Sequence, residues 1–207
     1  MSEEETRALL VELSASLFQR GFSVGSAGNI SVRLDDGYLI TPTNSCLGRL
    51  SPGRLSRLDS DFAHVSGDKP SKEVFMHRAF YQARPGAGAV VHLHSTMATA
   101  IACLPDADAL PLLTPYLVMR IGRTLPLVPY YRPGDPAMES AIAAAATGAA
   151  AVLLANHGPV VSARTLTDAV YAAEELEEAA KLAFVLRGAS PRVLTAAQVD
   201  DLLRTFG

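Results

Sequence analysis

The chain alternates short apolar segments with segments of helical periodicity, and this alternation restricts its fold more than any other sequence feature. Residues 89–93 and 151–155 form apolar runs whose length suits buried strands. The alanine-rich region 141–151 predicts a helix that leads into the second run. Because strands separated by helices pack as layers around one sheet, we expect an α/β fold.

A β-hairpin is predicted in the first quarter of the chain. Residues 30–34 and 38–41 have the composition of strands, and the turn sequence Asp35-Asp36-Gly37 lies between them. The two strands of a hairpin are antiparallel. We therefore predict a three-layer α/β/α sandwich with a mixed, largely antiparallel central sheet.

Helices are predicted at both ends of the chain. The first helix follows a capping box formed by Ser2 and Glu5. Its apolar stripe consists of Leu9, Leu10, Leu13 and Leu17. The closing helix covers residues 166–187, with Thr165 or Thr167 as its cap. Its exposed side carries Glu174, Glu175, Glu177 and Glu178.

Two shorter helices flank the apolar run at residues 89–93. The first begins after Pro70 with Ser71 as its N-cap and ends before Pro85, which places Glu73 in its first turn. The second covers residues 97–103. The strand predicted at the apolar run therefore lies between two helices along the sequence.

Length and composition restrict the class of protein. A chain of 207 residues with 49% apolar and 19% charged residues predicts a single globular domain over residues 1–207. No apolar run approaches the roughly 20 residues that a membrane-spanning helix needs, so no membrane partner is expected. The N-terminal segment MSEEETRALLVEL is acidic where a secretory signal is basic, so we expect a cytoplasmic protein.

Charge and cysteine usage exclude two further classes. The net charge is −3 and the Lys and Arg residues are scattered, so a nucleic-acid partner is not expected. Cys46 and Cys103 lie far apart and form no CxxC pair, so neither a disulfide framework nor a thiolate zinc site is indicated. A bound metal must therefore use other ligands.

Three histidines lie in or next to the two apolar runs. His92 and His94 alternate along the first strand and so face the same side, and His157 follows the second strand. Three imidazoles with an open fourth position are typical of a catalytic zinc site. A buried histidine is also common as a hydrogen-bonded packing residue, and the HxH pair alone does not decide between the two. His64 and His77 lack the spacing of ligands and are assigned no role in the site.

Glu73 lies in a polar corner of the predicted helix that follows Pro70. A glutamate in a first helical turn commonly complements the helix dipole. Its neighbours Ser71 and Lys72, together with the helix N-terminus, make the corner attractive to an anion. A carboxylate there, near a metal, could move a proton at carbon. The Gly- and Ser-rich loop 25–29 could turn N–H groups to a ligand, although from the loop alone a turning role is the better interpretation.

Five motifs follow in order along the chain: GSAGNISVR, LITPTN, SGDKPSKE, VVHLHS and LLANHG. Together they resemble the class II aldolase/adducin family, which includes fuculose-phosphate aldolase and ribulose-phosphate epimerase. The fuller pattern, with TPYLVMRIG and LPLVPYYRPGD, looks most like the branch that decarboxylates 3-oxo-tetronate 4-phosphates.

The resemblance implies a set of site residues. A zinc ion would lie on His92, His94 and His157. Glu73 would be the acid/base, and it would also ligate the metal while substrate is absent. The residues implied around the substrate phosphate are Gly28, Asn29, Thr43, Asn44, Ser71 and Lys72.

Two positions depart from the fuculose-phosphate aldolase pattern. Asn44 stands where that enzyme has a glycine, and Lys72 stands where it has a serine. Lysine pairs readily with phosphate, so phosphate binding is expected to persist while the sugar specificity is in doubt. Tyr116 lies about where the family has a tyrosine that reaches a neighbouring subunit's site and gives a proton to substrate. The resemblance also implies a homotetramer with sites at subunit interfaces.

The implied reaction is zinc-dependent loss of CO2 from a small phosphorylated sugar acid, giving dihydroxyacetone phosphate through an enediolate. One alternative is a class II sugar-phosphate aldolase of the fuculose- or ribulose-phosphate type, since aldol cleavage forms the same enediolate. Another is a non-catalytic, adducin-like interaction module. The presence of Glu73 together with the three histidines favours an enzyme.

Overall fold

The computed structural model describes residues 1–105 and 110–206. The strands are β1 (Asn29–Leu34), β2 (Gly37–Ile40), β3 (Ser56–Leu58), β4 (His64–Ser66), β5 (Ala89–His92), β6 (Leu127–Val128), β7 (Ala151–Leu154) and β8 (Gly158–Ala163). The helices are α1 (Glu3–Gln19), α2 (Val74–Ala83), α3 (Thr96–Ala102), α4 (Pro115–Ile121), α5 (Met138–Ala146), α6 (Leu166–Val185) and α7 (Ala196–Phe206). Single 3-10 turns form at Leu47–Arg49 and Pro52–Arg54.

All eight strands belong to one sheet with the order β4-β3-β2-β1-β5-β8-β7-β6. Every neighbouring pair is antiparallel except β6 and β7, which are parallel. The predicted hairpin is present as β1 and β2, with Leu34 opposite Gly37. The prediction of a mixed, largely antiparallel sheet is confirmed.

Helices cover both faces of the sheet. On one face α1, α3, α4 and α6 pack against alternate strand residues such as Ile30, Val91 and Val161. On the other face α2 and α5 pack against the intervening residues, including Val90 and Val160. Strands β5 and β8 are thus buried on both faces, which accounts for their nearly continuous apolar sequences. The predicted three-layer sandwich is confirmed.

The helix ends differ in part from the sequence predictions. The capping box of α1 is present, and Thr165 caps α6 by accepting a hydrogen bond from Asp168 N. The prediction that Ser71 is the N-cap of α2 is wrong, because Glu73 occupies that position. The residues before the helix pair with an earlier segment of the chain, since Pro70 forms a β-bridge with Pro42 and the carbonyl oxygen of Lys69 accepts a hydrogen bond from Thr43 N.

The strand that carries the histidine pair is shorter than predicted. It ends at His92, opposite Val160, so His94 lies beyond the strand. Leu93 N donates to the carbonyl oxygen of Pro159 at 3.3 Å, but Pro159 has no N–H with which to return the hydrogen bond. The direction of the His94 side chain is therefore not set by the alternation of residues along β5.

Within the described residues, no helix combines the length and the apolar composition required to cross a membrane.

Glu177 of α6 holds the beginning of α3, although the sequence places it among exposed glutamates. Its two carboxylate oxygens accept hydrogen bonds from Met97 N and Ala98 N, each at 2.8 Å. Ser95, the N-cap of α3, makes no side-chain cap bond. The carboxylate therefore satisfies backbone donors that the first helical turn leaves free.

We expect Glu177→Ala to lower the free energy of unfolding by about 1–3 kcal/mol, because the variant loses hydrogen bonds to a charged acceptor. Denaturant titration followed by circular dichroism measures this change. Glu178→Ala is the matched control on the same helix, since Glu178 is exposed and forms an ion pair of 3.6 Å with Lys181. Its expected effect is within about 0.5 kcal/mol. Equal losses in the two variants would contradict the role of Glu177.

Candidate active site

Three imidazole rings meet at one end of the sheet. His92 is the last residue of β5, His94 follows it, and His157 lies in the turn between β7 and β8. The ring centroids are 4.9 Å apart for His92 and His94, and 4.8 Å apart for each of the other two pairs. One candidate ligand nitrogen from each ring lies within 4.8 Å of the others. The fold therefore brings the three predicted ligands together.

The turn before β8 delivers His157 to this cluster. Asn156 has a left-handed backbone with φ of 58°, and Gly158 has φ of 151°. A Cβ atom at Gly158 would lie 2.5 Å from the carbonyl oxygen of Leu93. Only glycine permits this close approach, so Gly158 lets the turn rest against the end of β5.

The orientation of His92 is set by the backbone of β8. Its Nδ1 lies 2.9 Å from the carbonyl oxygen of Pro159, which can only accept a hydrogen bond. The ring therefore carries its proton on Nδ1, and the lone pair of Nε2 faces the cluster. His92 Nε2 lies 3.0 Å from His94 Nε2. A carbonyl that holds the second ring nitrogen is a typical support of a metal-binding histidine.

Burial keeps the three rings neutral. Burial lowers the pKa of His92 well below its ordinary value, and the neighbouring His157 and His94 lower it further. Burial and His157 lower the pKa of His94. Burial likewise lowers the pKa of His157, against an opposing effect of Glu73. Neutral imidazoles offer lone pairs, so this donor set fits a divalent transition metal.

The Glu73 carboxylate lies beside the same rings. Its Oε2 is 3.7 Å from His92 Nε2, and its Oε1 is 3.5 Å from His157 Nε2. Asn29 Nδ2 donates a hydrogen bond of 2.7 Å to Oε2. Glu73 reaches this place because it immediately precedes α2, whose axis runs along the face of the sheet that carries His92. The site thus combines three nitrogen donors with one carboxylate.

The residues predicted around a phosphate lie on three neighbouring segments. Gly28 has φ of 81°, and a Cβ there would lie 2.9 Å from the carbonyl oxygen of His92. Thr43 N donates to the carbonyl of Lys69, which joins the second segment to the third. Ser71 Oγ accepts from Glu73 N at 3.2 Å. Asn44 and Lys72 are exposed. Their roles toward a phosphate stay predictions.

Asn29 and Tyr116 are placed differently from the other predicted residues. The Asn29 side chain is buried and hydrogen-bonded to both Glu73 and His77. Tyr116 is 61% exposed in the first turn of α4, and no described contact joins it to the histidine cluster. A single copy of the chain therefore does not bring Tyr116 to the site.

The two histidines that were assigned no role in the site lie in different surroundings. His64 is exposed and hydrogen-bonds the carbonyl of Ser66. His77 is fully buried and contacts Asn29 Oδ1 and Ser31 Oγ. The available signal was the spacing of Glu73, His77 and Tyr81, which repeats every four residues.

We expect His92→Ala to lose bound metal, because the variant removes one of three nitrogen donors and the lone pair that Pro159 directs inward. Metal content after purification and dialysis is measured by emission spectroscopy. His64→Ala is the control, since it removes an imidazole that is exposed and outside the cluster. Stoichiometric metal in His92→Ala would show that the three-histidine site is wrong.

Comparisons with known proteins identify the family of this chain. Residues 8–184 match the family described as the Class II Aldolase and Adducin N-terminal domain. The 3-oxo-tetronate 4-phosphate decarboxylase of Pectobacterium atrosepticum is 51% identical over 97% of this chain and 94% of its own length. The L-fuculose phosphate aldolase of Escherichia coli is 32% identical over 88% of this chain and 84% of its own.

A solved structure shows the same architecture. YgbL from Klebsiella pneumoniae superposes with a TM-score of 0.94 at 48% identity, over 98% of this chain and 99% of that protein. The sequence match and the structural match both extend over nearly the whole chain. The predicted resemblance is thereby confirmed, as is the relationship to carbon–carbon lyases. The chain belongs to the class II aldolase and adducin family.

Proposed function

We propose that this protein is a zinc-dependent lyase that converts a 3-oxo-tetronate 4-phosphate to dihydroxyacetone phosphate and CO2. The observation that carries the proposal is the Glu73 carboxylate, which lies 3.5 Å and 3.7 Å from two of three clustered imidazoles. Three imidazoles beside a carboxylate suit metal-assisted proton transfer at carbon. The 51% identity to a named decarboxylase supports the choice of substrate.

The reaction breaks one carbon–carbon bond and forms one carbon–hydrogen bond. The substrate carboxylate is β to the C3 ketone. When the C1–C2 bond breaks, C1 leaves as CO2 and its electron pair stays at C2, where it delocalises into the ketone as an enediolate. Protonation at C2 then gives dihydroxyacetone phosphate. The step needs no oxidant or reductant.

His92, His94 and His157 would hold the metal, with Glu73 as a further ligand while substrate is absent. A bound zinc ion supplies a Lewis acid that stabilises negative charge on oxygen, worth several kcal/mol in general. Zinc is proposed because three imidazoles with an open position are typical of its catalytic sites. Imidazole ligands also suit other divalent transition metals, so direct metal analysis tests this identity.

Glu73 would carry the proton that C2 receives. Its carboxylate is half-buried beside the rings and held at Oε2 by Asn29, so it has one defined orientation toward the cluster. Tyr116 of the partner subunit would act as the second proton donor. Tyr116 is exposed in a single copy, so it is available to a neighbouring subunit in the homotetramer, with sites at subunit interfaces, that we propose.

The phosphate would bind between three segments that adjoin the metal ligands. Gly28 abuts the carbonyl of His92, and Ser71 contacts the backbone of Glu73. Thr43 is tied to Lys69 in the segment that leads to Ser71 and Lys72. Asn29, Asn44 and Lys72 would complete the set. Backbone N–H groups, hydroxyls and a lysine are common phosphate partners.

Two other functions compete with this proposal. A sugar-phosphate aldolase would use the same metal ligands and the same enediolate, and the 32% identity to a fuculose phosphate aldolase supports it as the second candidate. A non-catalytic, adducin-like module would make no use of Glu73 beside the histidines. The cytoplasmic location stays a prediction.

Parallel assays of purified, zinc-loaded protein distinguish these functions. One arm contains 3-oxo-tetronate 4-phosphate, and dihydroxyacetone phosphate and CO2 are measured. A second contains fuculose 1-phosphate, and lactaldehyde is measured. A third contains unphosphorylated 3-oxo-tetronate, which tests the phosphate site. We expect fast turnover in the first arm alone. Faster cleavage of fuculose 1-phosphate would favour the aldolase, and no turnover in any arm would favour the binding module.

We expect Glu73→Gln to retain the fold and bound metal and to lower kcat by about 10²–10⁴-fold, because the amide cannot carry the proton. Turnover of 3-oxo-tetronate 4-phosphate and metal content are measured on the same preparation. Glu178→Gln, on the exposed side of α6, is the control. Wild-type kcat in Glu73→Gln would remove Glu73 from the mechanism.

A further inference from the structure

Two rows of polar side chains face each other between β1 and α2. On the strand, Asn29 and Ser31 point to the same face because alternate residues share a face. Glu73, the N-cap of α2, and the helix residues His77 and Tyr81 lie four residues apart on one side. Two strand residues span about 6.6 Å and four helix residues about 6 Å, so the two rows stay in step.

Hydrogen bonds join the two rows into one chain. Tyr81 OH lies 2.9 Å from Ser31 Oγ, and Ser31 Oγ lies 2.7 Å from His77 Nδ1. His77 Nε2 is hydrogen-bonded to Asn29 Oδ1, and Asn29 Nδ2 lies 2.7 Å from Glu73 Oε2. Ser31, His77 and Tyr81 are at most 3% exposed. The chain runs from the protein interior to the candidate acid/base.

The chemistry of each group fixes the direction of every bond. Asn29 turns its NH2 group to Glu73 and its oxygen to His77, and an amide oxygen only accepts. His77 must then carry its proton on Nε2, which leaves Nδ1 as an acceptor for the Ser31 hydroxyl. Ser31 in turn accepts from Tyr81. All donors therefore point toward Glu73.

His77 has the charge state that this direction requires. Burial lowers the pKa of His77 to about 3, so the ring is neutral and has one donor and one acceptor nitrogen. A charged ring would donate from both nitrogens, so its Nδ1 could not accept a hydrogen bond from the Ser31 hydroxyl. The opposite neutral tautomer would allow Asn29 to reverse and present its oxygen to the carboxylate. The tautomer of His77 thus decides which end of the Asn29 amide meets Glu73.

We propose that His77 is a positioning residue, which Ser31 and Tyr81 hold in the Nε2-protonated tautomer, and which fixes the Asn29 amide as a donor to Glu73. His77 does not touch the candidate reacting centre and acts through Asn29. The catalytic consequence rests on the proposed function, because it assumes that Glu73 moves the proton. The hydrogen-bond geometry does not depend on that assumption.

The first experiment reads the tautomer directly and needs no activity. Nitrogen-15 spectra of the full-length protein with labelled histidine are recorded between pH 5 and 8, and His77→Gln identifies the His77 signals. We expect a protonated Nε2 and an unprotonated Nδ1 throughout. In Ser31→Ala the Nδ1 signal should shift because its donor is lost. A charged His77, or a proton on Nδ1, would overturn the proposal.

The second experiment tests the consequence for catalysis. We expect His77→Leu, which removes the donor to Asn29, to lower kcat about 10–100-fold with full metal content and KM within about twofold. His77→Gln retains a side-chain NH2 that can donate to Asn29, and it should recover most of this loss. Ser162→Ala is the control for Ser31→Ala, since Ser162 is buried in β8 and its hydroxyl donates to the carbonyl oxygen of Ala150.

The outcomes separate this proposal from the proposed function. Wild-type kcat in a metal-loaded His77→Leu would overturn positioning by His77, as would equal loss in folded His77→Gln and His77→Leu. If His77→Leu does not fold, the kcat of Ser31→Ala is compared with that of Ser162→Ala instead. If the wild-type protein is inactive on every substrate, the proposed function fails, while the tautomer still decides whether His77 orients Asn29.

Discussion

The central position of β5 is the constraint on which the candidate site depends. Strand β5 lies between β1 and β8, and both of its faces are covered by helices. This pairing sets His92 opposite Asn29 on one side and Val160 on the other. A shift of one residue would turn the ring to the opposite face of the sheet and place an apolar side chain at the site.

Burial keeps the histidine rings of the site neutral, and local hydrogen bonds offset the unfavourable free energy of burying polar groups. Removal from water lowers the pKa of each clustered histidine, and this keeps the rings neutral and able to bind a cation. A buried polar group destabilises the fold unless it is hydrogen-bonded. The Pro159 carbonyl provides that bond for His92, and the amide of Asn29 provides one for Glu73.

Helix α2 contributes both apolar packing and polar contacts to the same layer. Phe75 and Phe80 belong to the core between α2, α5 and the sheet. Glu73, His77 and Tyr81 form a polar row beside this core, and their side chains are hydrogen-bonded by residues of β1. Fully satisfied polar chains restrict side-chain orientation more strongly than apolar contacts do, because each donor needs a particular acceptor. The helix thereby holds the carboxylate in a defined place.

Local features of the fold were readable from the amino-acid sequence. Apolar runs located the buried strands, the Asp-Asp-Gly turn located the hairpin, and Ser2 with Glu5 identified the first helix. These signals depend on neighbours within a few residues. The end of β5 was not readable, because it depends on pairing with β8, a strand more than sixty residues away. The role of Glu177 at α3 was hidden for the same reason.

The sequence by itself determined the fold class, the candidate ligands His92, His94 and His157, and the candidate acid/base Glu73. Only the tertiary structure decided which partners surround them: that Asn29 is hydrogen-bonded to both His77 and Glu73, and that Tyr116 stands apart in one copy. The physical reason is that a hydrogen bond has a direction and a length of about 3 Å. Whether residues almost fifty positions apart meet that condition depends on strand register and helix placement, which no local pattern encodes.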